Sequence, residues 1–405
     1  MITKVADRDT RPGKKEDSSS KKFRTLTNAI RFCTWTVGAD VTKPEYKFYW
    51  RTYMTGMLIF MFMLCTGYTV YVDVVINADW VALLQTCCQS GAGIQGGTKF
   101  LCVLFYRKDV VEVLNFLHFT YEKHECLGPN YKKSLEDALK LLITCAKGLL
   151  SVYLVARLSC IAFPAAFYAL YNEKLMVMQF LIPGLDPETI FGYWMLTAVH
   201  IVCTVCGFFG NFAADMYIFV FITSAPLVKN ILKCKLEDLD TKLEAFNGQK
   251  ILQKDVHEDI MGIINWHKNY LRLLESSERI FFIVIFVEMI TSFMSNLSIL
   301  YCILIGVWPS GKIYLAFTIT SFFMFSALGT VVDSSNQDCS DIIYTCRWYD
   351  LPISEQRLLL FMLRRSQSTS GLSVGKMMPL NMNTAVQISK AIYSVLMLLM
   401  SGREQ

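Results

Sequence analysis

The sequence predicts an all-α membrane protein with seven transmembrane helices, a cytosolic N-terminus, an extracellular C-terminus and helical extensions into the cytosol. Three observations predict this class: the composition, the length of the apolar runs and the distribution of positive charge. Of the 405 residues, 53% are hydrophobic and 13% are aromatic, which is more apolar than a soluble domain usually is. The polar N-terminal stretch is not followed by the apolar run and cleavage site of a signal peptide, so we expect it to stay in the cytosol.

Seven apolar runs are long enough to cross a bilayer, which requires about 20 residues per helix. The second run is the weakest, because it contains four glycines and Lys99. Small residues allow helices to approach closely, so this run predicts a span in the interior of the bundle. The seven runs are 52–77, 80–105, 138–170, 190–225, 279–306, 313–333 and 380–401.

The distribution of lysine and arginine sets the direction of the first span. If the N-terminus is inside, about 31 of the cationic residues fall on inner segments, by the positive-inside criterion. Only Lys174, Lys312 and Arg403 then fall on outer segments. The stretch 171–190 is the one sizeable outer loop of this topology, and we expect it to cover the outer side of the bundle.

This topology divides the chain into four parts. Residues 1–51 are a cytosolic tail with an amphipathic, aromatic segment at the inner membrane face. Residues 52–333 hold the first six spans and, at about 226–279, a cytosolic helical loop with an apolar stripe. That stripe either packs within one chain or joins subunits. Residues 334–378 form a further cytosolic segment, and 379–405 form the terminal helix with a short outer tail.

The sequence predicts a non-enzyme that needs no metal or cofactor. Its five histidines are scattered, and the cysteines lie mostly in apolar runs, where they act as small hydrophobic residues. Residues 91–97 imitate a glycine-rich phosphate loop. They lack a preceding strand and a Lys-Ser/Thr ending, so helix packing is favoured. The expected surroundings are a lipid bilayer, and no nucleic-acid partner is indicated.

The outer halves of spans two, three, four and six have the composition of a pocket for a small apolar ligand. They combine aromatic and aliphatic side chains with a few hydroxyls and one imidazole. Each residue has two interpretations, a ligand contact or ordinary core. The candidates are Leu84, Cys87, Cys88, Ser90, Val155, Ser159, Phe163, Phe167, Tyr193, Trp194, Thr197, His200, Ile201, Phe317, Thr320, Ser321 and Met324.

Charged residues within the spans need partners or water, because an isolated charge in a bilayer is costly. Arg157 in span three requires an internal partner, and Asp215 of span four is a candidate. The pair would be structural or would contribute to gating. Lys390 in the last span either stays in the inner water or meets an inner carboxylate. Asp333, Asp338 and Glu288 are the candidates.

The C-terminal quarter carries a family resemblance. Its segments Tyr349-Asp350-Leu351-Pro352, Leu359 to Gln367, Gly375-Lys376, Leu380-Asn381 and Ile388 to Ser394 resemble the insect odorant receptor family, in its ligand-tuning rather than its co-receptor form. The length and the inverted seven-helix topology agree.

The resemblance implies an odorant-gated, non-selective cation channel that binds a small volatile ligand. It also implies a heterotetramer with a co-receptor, in the plasma membrane of olfactory neuron dendrites. The segment 334–378 would then belong to a cytosolic anchor, and the last helix would line the pore. Counted from Tyr393-Ser394, the family's apolar gate falls on Leu396, with Ile392 and Leu399 one turn to either side. A stripe of this kind either gates by dewetting or faces lipid or protein.

Two other functions remain as alternatives. A gustatory-type channel shares the topology, but its T-Y-x-x-x-x-x-Q-F signature is not present at Tyr393-Ser394. A secondary transporter would show internal repeats with interrupted helices in two halves, and the sequence shows no such symmetry.

Overall fold

The computed structural model describes residues 18–40, 48–172, 174–245, 253–308, 311–369 and 371–402. Arg403 and, in the N-terminal tail, residues 1–17 and 41–47 lie outside these ranges. The described helices are α1 (Ser19–Thr36), α2 (Trp50–Tyr71), α3 (Trp80–Phe105), α4 (Arg107–His124), α5 (Pro129–Tyr171), α6 (Ile190–Ala245), α7 (Gln253–Leu304), α8 (Gly311–Thr345), α9 (Ile353–Gln367) and α10 (Met382–Ser401).

Three short elements complete the path of the chain. A π-helical turn, Val72–Ile76, extends α2, and a 3₁₀ turn, Trp348–Asp350, precedes α9. The strands β1 (Ser373–Val374) and β2 (Met378–Pro379) then form an antiparallel hairpin. This hairpin turns the chain from α9 into α10.

The predicted fold class is confirmed. Among the described residues, six helical segments are long and apolar enough to cross a membrane: α2 with its π-turn, α5, α6, α7, α8 and α10. The seventh span is α3, which is not apolar enough to be counted with these six. The corresponding run is also the weakest of the seven in the sequence. Helix α3 packs most extensively on α7, inside the bundle. Because its glycines allow this close approach, the protein encloses the polar groups that α3 carries.

The long helices continue far beyond the bilayer on the cytosolic side. Helix α6 has 56 residues and is therefore about 84 Å long, almost three times the thickness of a bilayer core. The cytosolic parts of α6, α7 and α8, together with α9, form a cytosolic base. Within this base, the indole nitrogen of Trp266 donates to the carbonyl of Val228 at 2.9 Å, and the Tyr270 hydroxyl donates to Asn336 Oδ1 at 2.6 Å. Lys229 pairs with Asp338 at 2.7 Å. These contacts connect α6, α7 and α8.

The apolar stripe predicted on the cytosolic loop packs within the chain. Leu227, Ile231, Leu232, Leu236 and Leu239 of α6 are all buried in the single subunit. This supports the first of the two alternatives, in which the stripe stabilises one chain. The loop is therefore a continuation of α6 and α7 and forms the core of the base.

The N-terminal segment forms a helix that packs on the protein with one face. Phe23 and Ile30 of α1 are buried, and α1 packs mainly on α6. Phe32 and Trp35 on its other face are exposed, and the Arg51 guanidinium lies 3.8 Å from the centre of the Trp35 ring. Exposed aromatic residues beside arginine are typical of a membrane–water interface.

Candidate functional site

The outer loop enters the bundle at the outer end of the candidate pocket. Val177, Met178 and Phe180 are buried among the helices. Beneath them, Ser159 and Phe163 of α5 line a void of about 10 Å³ together with Tyr314 of α8. The Tyr314 hydroxyl donates to the carbonyl of Val177 at 3.1 Å, which connects α8 to the loop.

His200 holds this loop in place. The imidazole is fully buried, and its Nε2 lies 3.1 Å from the carbonyl oxygen of Phe180. On the other side of the ring, the backbone N–H of Met178 donates to Nδ1 at 3.4 Å. The Phe180 ring packs edge-on against the imidazole, with centroids 4.3 Å apart. Both nitrogens are therefore used by the chain itself.

The other candidate pocket residues are distributed over several environments. Tyr193 is buried and donates to the carbonyl of Leu175 at 3.3 Å. Phe317 packs edge-on against Tyr153, with centroids 5.4 Å apart. Val155 and Trp194 are exposed in the single chain. The structure therefore brings only some of the predicted pocket residues together. Cys87 is also exposed, Cys88 is buried, and half-buried positions are Leu84, Ser90, Phe167, Thr197, Ile201, Thr320, Ser321 and Met324.

A buried ionic cluster lies in the inner half of the bundle. The Lys99 ammonium of α3 is 2.7 Å from Asp215 Oδ1 of α6 and 2.9 Å from Glu288 Oε2 of α7. The Tyr153 hydroxyl of α5 donates to Asp215, and the Ser321 hydroxyl of α8 donates to Glu288 at 3.3 Å. All three charged groups are almost completely buried. The cluster connects five spans and balances one cation against two carboxylates.

This cluster corrects the pairing predicted from sequence. Asp215 does not form an ion pair with Arg157, and Glu288 does not pair with Lys390, because Lys99 binds both carboxylates. The Arg157 guanidinium instead lies 5.7 Å from the centre of the Phe317 ring. The only available signal was Lys99 itself, a cation in an otherwise apolar and interior span, which requires acidic partners at its own depth.

The other two carboxylates suggested for Lys390 also have different partners. Asp333 Oδ2 accepts a hydrogen bond from the Asn381 side chain at 3.2 Å, and Asp338 pairs with Lys229. Within the described residues Lys390 forms no ion pair, and its side chain is exposed. It lies on the face of α10 that points away from the chain.

The terminal helix has one buried face and one exposed face. Ile392 and Leu396 are 6% and 7% exposed and pack against their own chain, where α10 lies on α7 and α8. Leu399 is 45% exposed, and Tyr393, Met397 and Leu398 are exposed beside it. Of the three predicted gate residues, only Leu399 is therefore accessible in the isolated subunit.

These features define the class: a seven-helix membrane protein with a helical cytosolic base and a terminal span whose apolar face points away from the subunit and is exposed. The chain belongs to the odorant receptor family, because residues 79–393 match the family model described as 7tm Odorant receptor. This family consists of chemosensory receptors and ion-channel subunits.

Curated relatives and solved structures agree with the assignment. The chain is 26% identical over 401 residues to the Drosophila melanogaster protein named "Putative odorant receptor 83c", covering 95% of this chain and 98% of that one. It is also 26% identical to Odorant receptor 19a of the same organism, over 35% of this chain and 38% of the relative. The insect olfactory receptor OR5 of Machilis hrabei in complex with eugenol has a similar fold, with a TM-score of 0.78 and 13% identity over 95% of this chain and 99% of that one.

Proposed function

We propose that the protein is the ligand-tuning subunit of an odorant-gated, non-selective cation channel. Family membership and the uncovered apolar face of α10 carry this proposal. A transmembrane helix that ends a bundle with a large exposed face can join equivalent helices of neighbouring subunits around a water path. In this arrangement the odorant binds in the outer half of the bundle and opens the shared pore.

The void beside Ser159 and Phe163 is the best-supported place for the odorant. It is bounded by α5, α8 and the buried part of the outer loop, so a bound molecule would touch three elements that can move relative to one another. Its volume of about 10 Å³ is below that of any odorant. Binding therefore requires the Phe163 side chain or the buried part of the outer loop to move away from the void. That movement is the proposed first step of gating.

The cytosolic base offers a surface for neighbouring subunits. Four exposed apolar residues of α8, the 3₁₀ turn and α9 line one groove: Tyr344, Trp348, Ile353 and Leu360, each more than 40% exposed. They lie outside the bilayer, where a large apolar patch normally marks a protein contact. We propose that this patch is the part of the anchor that binds the co-receptor in a heterotetramer at the plasma membrane of olfactory neurons.

The gate is proposed on α10. Leu399 already points away from the subunit, whereas Ile392 and Leu396 can reach a shared axis only if α10 turns relative to α7 and α8 on assembly. Leu396→Ala tests whether Leu396 forms the constriction of the pore or only packs within its own subunit. If Leu396 forms the constriction, the variant raises the leak current per surface channel. If it only packs against α7 and α8, surface expression falls and the leak per channel is unchanged. Leu399→Ala is the matched variant on the exposed face.

Functional expression tests the proposal as a whole. Cells that express the chain together with a co-receptor should give an odorant-evoked inward current that persists under G-protein blockade. Cells that express either subunit alone provide the control. Complete loss of the current under blockade would contradict a channel mechanism.

A further inference from the structure

A second cavity lies on the inner side of the bundle and shares no residue with the predicted pocket. Its volume is about 120 Å³, and it lies between α2, α3 and α6. Met178 of the outer loop closes one end, and Thr34 and Val37 at the end of α1 close the other. An engineered cavity of about 150 Å³ binds benzene, so this one suits a molecule of about six carbon atoms.

The walls of this cavity are mostly apolar and open between α2 and α6. Ile59 and Phe62 of α2 and Phe100 of α3 form one side, and Cys206 and Gly207 of α6 form the other. Helices α2 and α6 touch only slightly, so a lipophilic molecule can enter from the bilayer. The glycine leaves free space: a Cβ added at Gly207 would meet only Asn211, at 4.0 Å.

The charges that line the cavity are both positive. They are Lys99 and Arg157, and no carboxylate is among the described residues that line the cavity. Lys99 is bound by its two acidic partners. Arg157 forms no ion pair and no hydrogen bond within the described residues, and its buried Nε is without an acceptor. A guanidinium carries five N–H donors that remain costly to bury until acceptors satisfy them.

We propose that this inner cavity binds a short lipophilic molecule with a carbonyl or carboxylate group, held by the Arg157 guanidinium. The apolar part lies among Ile59, Phe62 and Phe100. The molecule is either a volatile compound that has partitioned into the membrane or, in place of a short molecule, the carboxyl end of a bilayer fatty acid whose tail leaves the cavity between α2 and α6. The cavity and the Arg157 guanidinium, which has no ion pair in the described part of the chain, do not depend on channel opening. This site therefore stands independently of the proposed channel function.

Equilibrium binding of radiolabelled hexanoic acid to the full chain in lipid nanodiscs tests the site, with empty nanodiscs as background. We expect saturable binding that 2-hexanone displaces and hexane displaces poorly. Arg157→Met should weaken binding by about tenfold, the usual effect of losing a charge-assisted hydrogen bond. Lys147→Met removes a cation of the same helix that does not line the cavity and should leave binding unchanged.

A second variant, which fills the inner cavity, tests the site if Arg157→Met does not fold. Gly207→Leu retains the guanidinium and occupies the cavity, so it should abolish saturable binding. The absence of saturable binding to the wild type, or equal affinity in the wild type, Arg157→Met and Gly207→Leu, would overturn the proposal. Mass spectrometry of extracted lipid separates the sources. A fatty acid retained by the wild type and lost from Gly207→Leu identifies the membrane, and its absence beside saturable hexanoate binding identifies an external compound.

Discussion

Removing the Lys99 ammonium should destabilise the bundle more than any surface substitution. In Lys99→Met, Asp215 and Glu288 lose the cation that lies 2.7 and 2.9 Å away, and two buried carboxylates then face each other. Breaking a buried ion pair from one side costs about 3–5 kcal/mol, a large fraction of the 5–15 kcal/mol that stabilises a typical fold. The entropy of unfolding is about 2 cal/mol/K per residue, so for a chain of 405 residues we expect the melting temperature to fall by about 4–6 °C.

Thermal unfolding of the detergent-solubilised protein, followed by fluorescence-detected size exclusion, measures this effect. Lys147→Met provides the control, because Lys147 is an exposed cation on α5. The triple variant Lys99→Met, Asp215→Asn, Glu288→Gln removes all three charges and keeps acceptors for Tyr153 and Ser321. It should recover most of the loss, since a neutral cluster carries no uncompensated charge. The reasoning is refuted if Lys99→Met melts with the wild type, or if the triple variant is less stable than the single one.

Two further variants probe the cytosolic side. A Cβ added at Gly329 of α8 would overlap the carbonyl oxygen of Leu380, so Gly329→Ala should displace the start of α10 and lower surface expression several-fold. Gly148→Ala, where nothing lies within 4 Å, should have little effect, and equal behaviour of the two would contradict the contact. Burial lowers the pKa of His267 from 6.5 to about 4, so the fold favours the neutral ring and stability should decrease as pH falls from 6.5 towards 4. Melting curves of His267→Leu should show a smaller decrease, and an identical one would exclude this histidine as a cause.

Length and hydropathy alone predicted the seven spans, because the bilayer fixes how many apolar residues a helix needs. The predicted ends were less accurate where the helix continues into the cytosol. The run 190–225 covers the membrane part of α6, but the helix passes through Pro226 and ends at Ala245. Hydropathy reports the position of the bilayer and not the end of the hydrogen-bond ladder.

The outer loop and the ionic cluster show what the sequence left open. The loop contains the apolar segment 175–182, with Met178 and Phe180 buried, and such a segment between two spans is a usable signal for a loop that enters the bundle. The partners of Lys99 were not predictable, because pairing depends on the depth and rotation of three helices relative to one another. Hydropathy gives that depth to within about a turn and does not give the rotation.

Helix α8 touches both the void beside Ser159 and Phe163, which is the proposed odorant site, and the terminal helix. Tyr314 lines the void, and sixteen residues or about 24 Å further along the Thr330 hydroxyl accepts a hydrogen bond from the backbone N–H of Met382 at 3.0 Å. We propose that a shift of α8 at the void is transmitted through this helix to the first turn of α10.

Thr330→Val keeps the shape of the side chain and removes the hydrogen bond from Met382, worth about 1 kcal/mol. It also removes the hydrogen bond that the Thr330 hydroxyl donates to the carbonyl of Ser326 in the same helix at 3.1 Å. It should change the odorant concentration for half-maximal current by about fivefold while odorant binding to the purified protein stays the same. Thr345→Val is the control on the same helix, because the Thr345 hydroxyl bonds only carbonyls of α8 itself, those of Asp341 and Ile342. It should change neither the current nor the binding. A parallel change in binding and current would mean that Thr330 stabilises the ligand site. An unchanged current would exclude α8 as the connection between the void and α10.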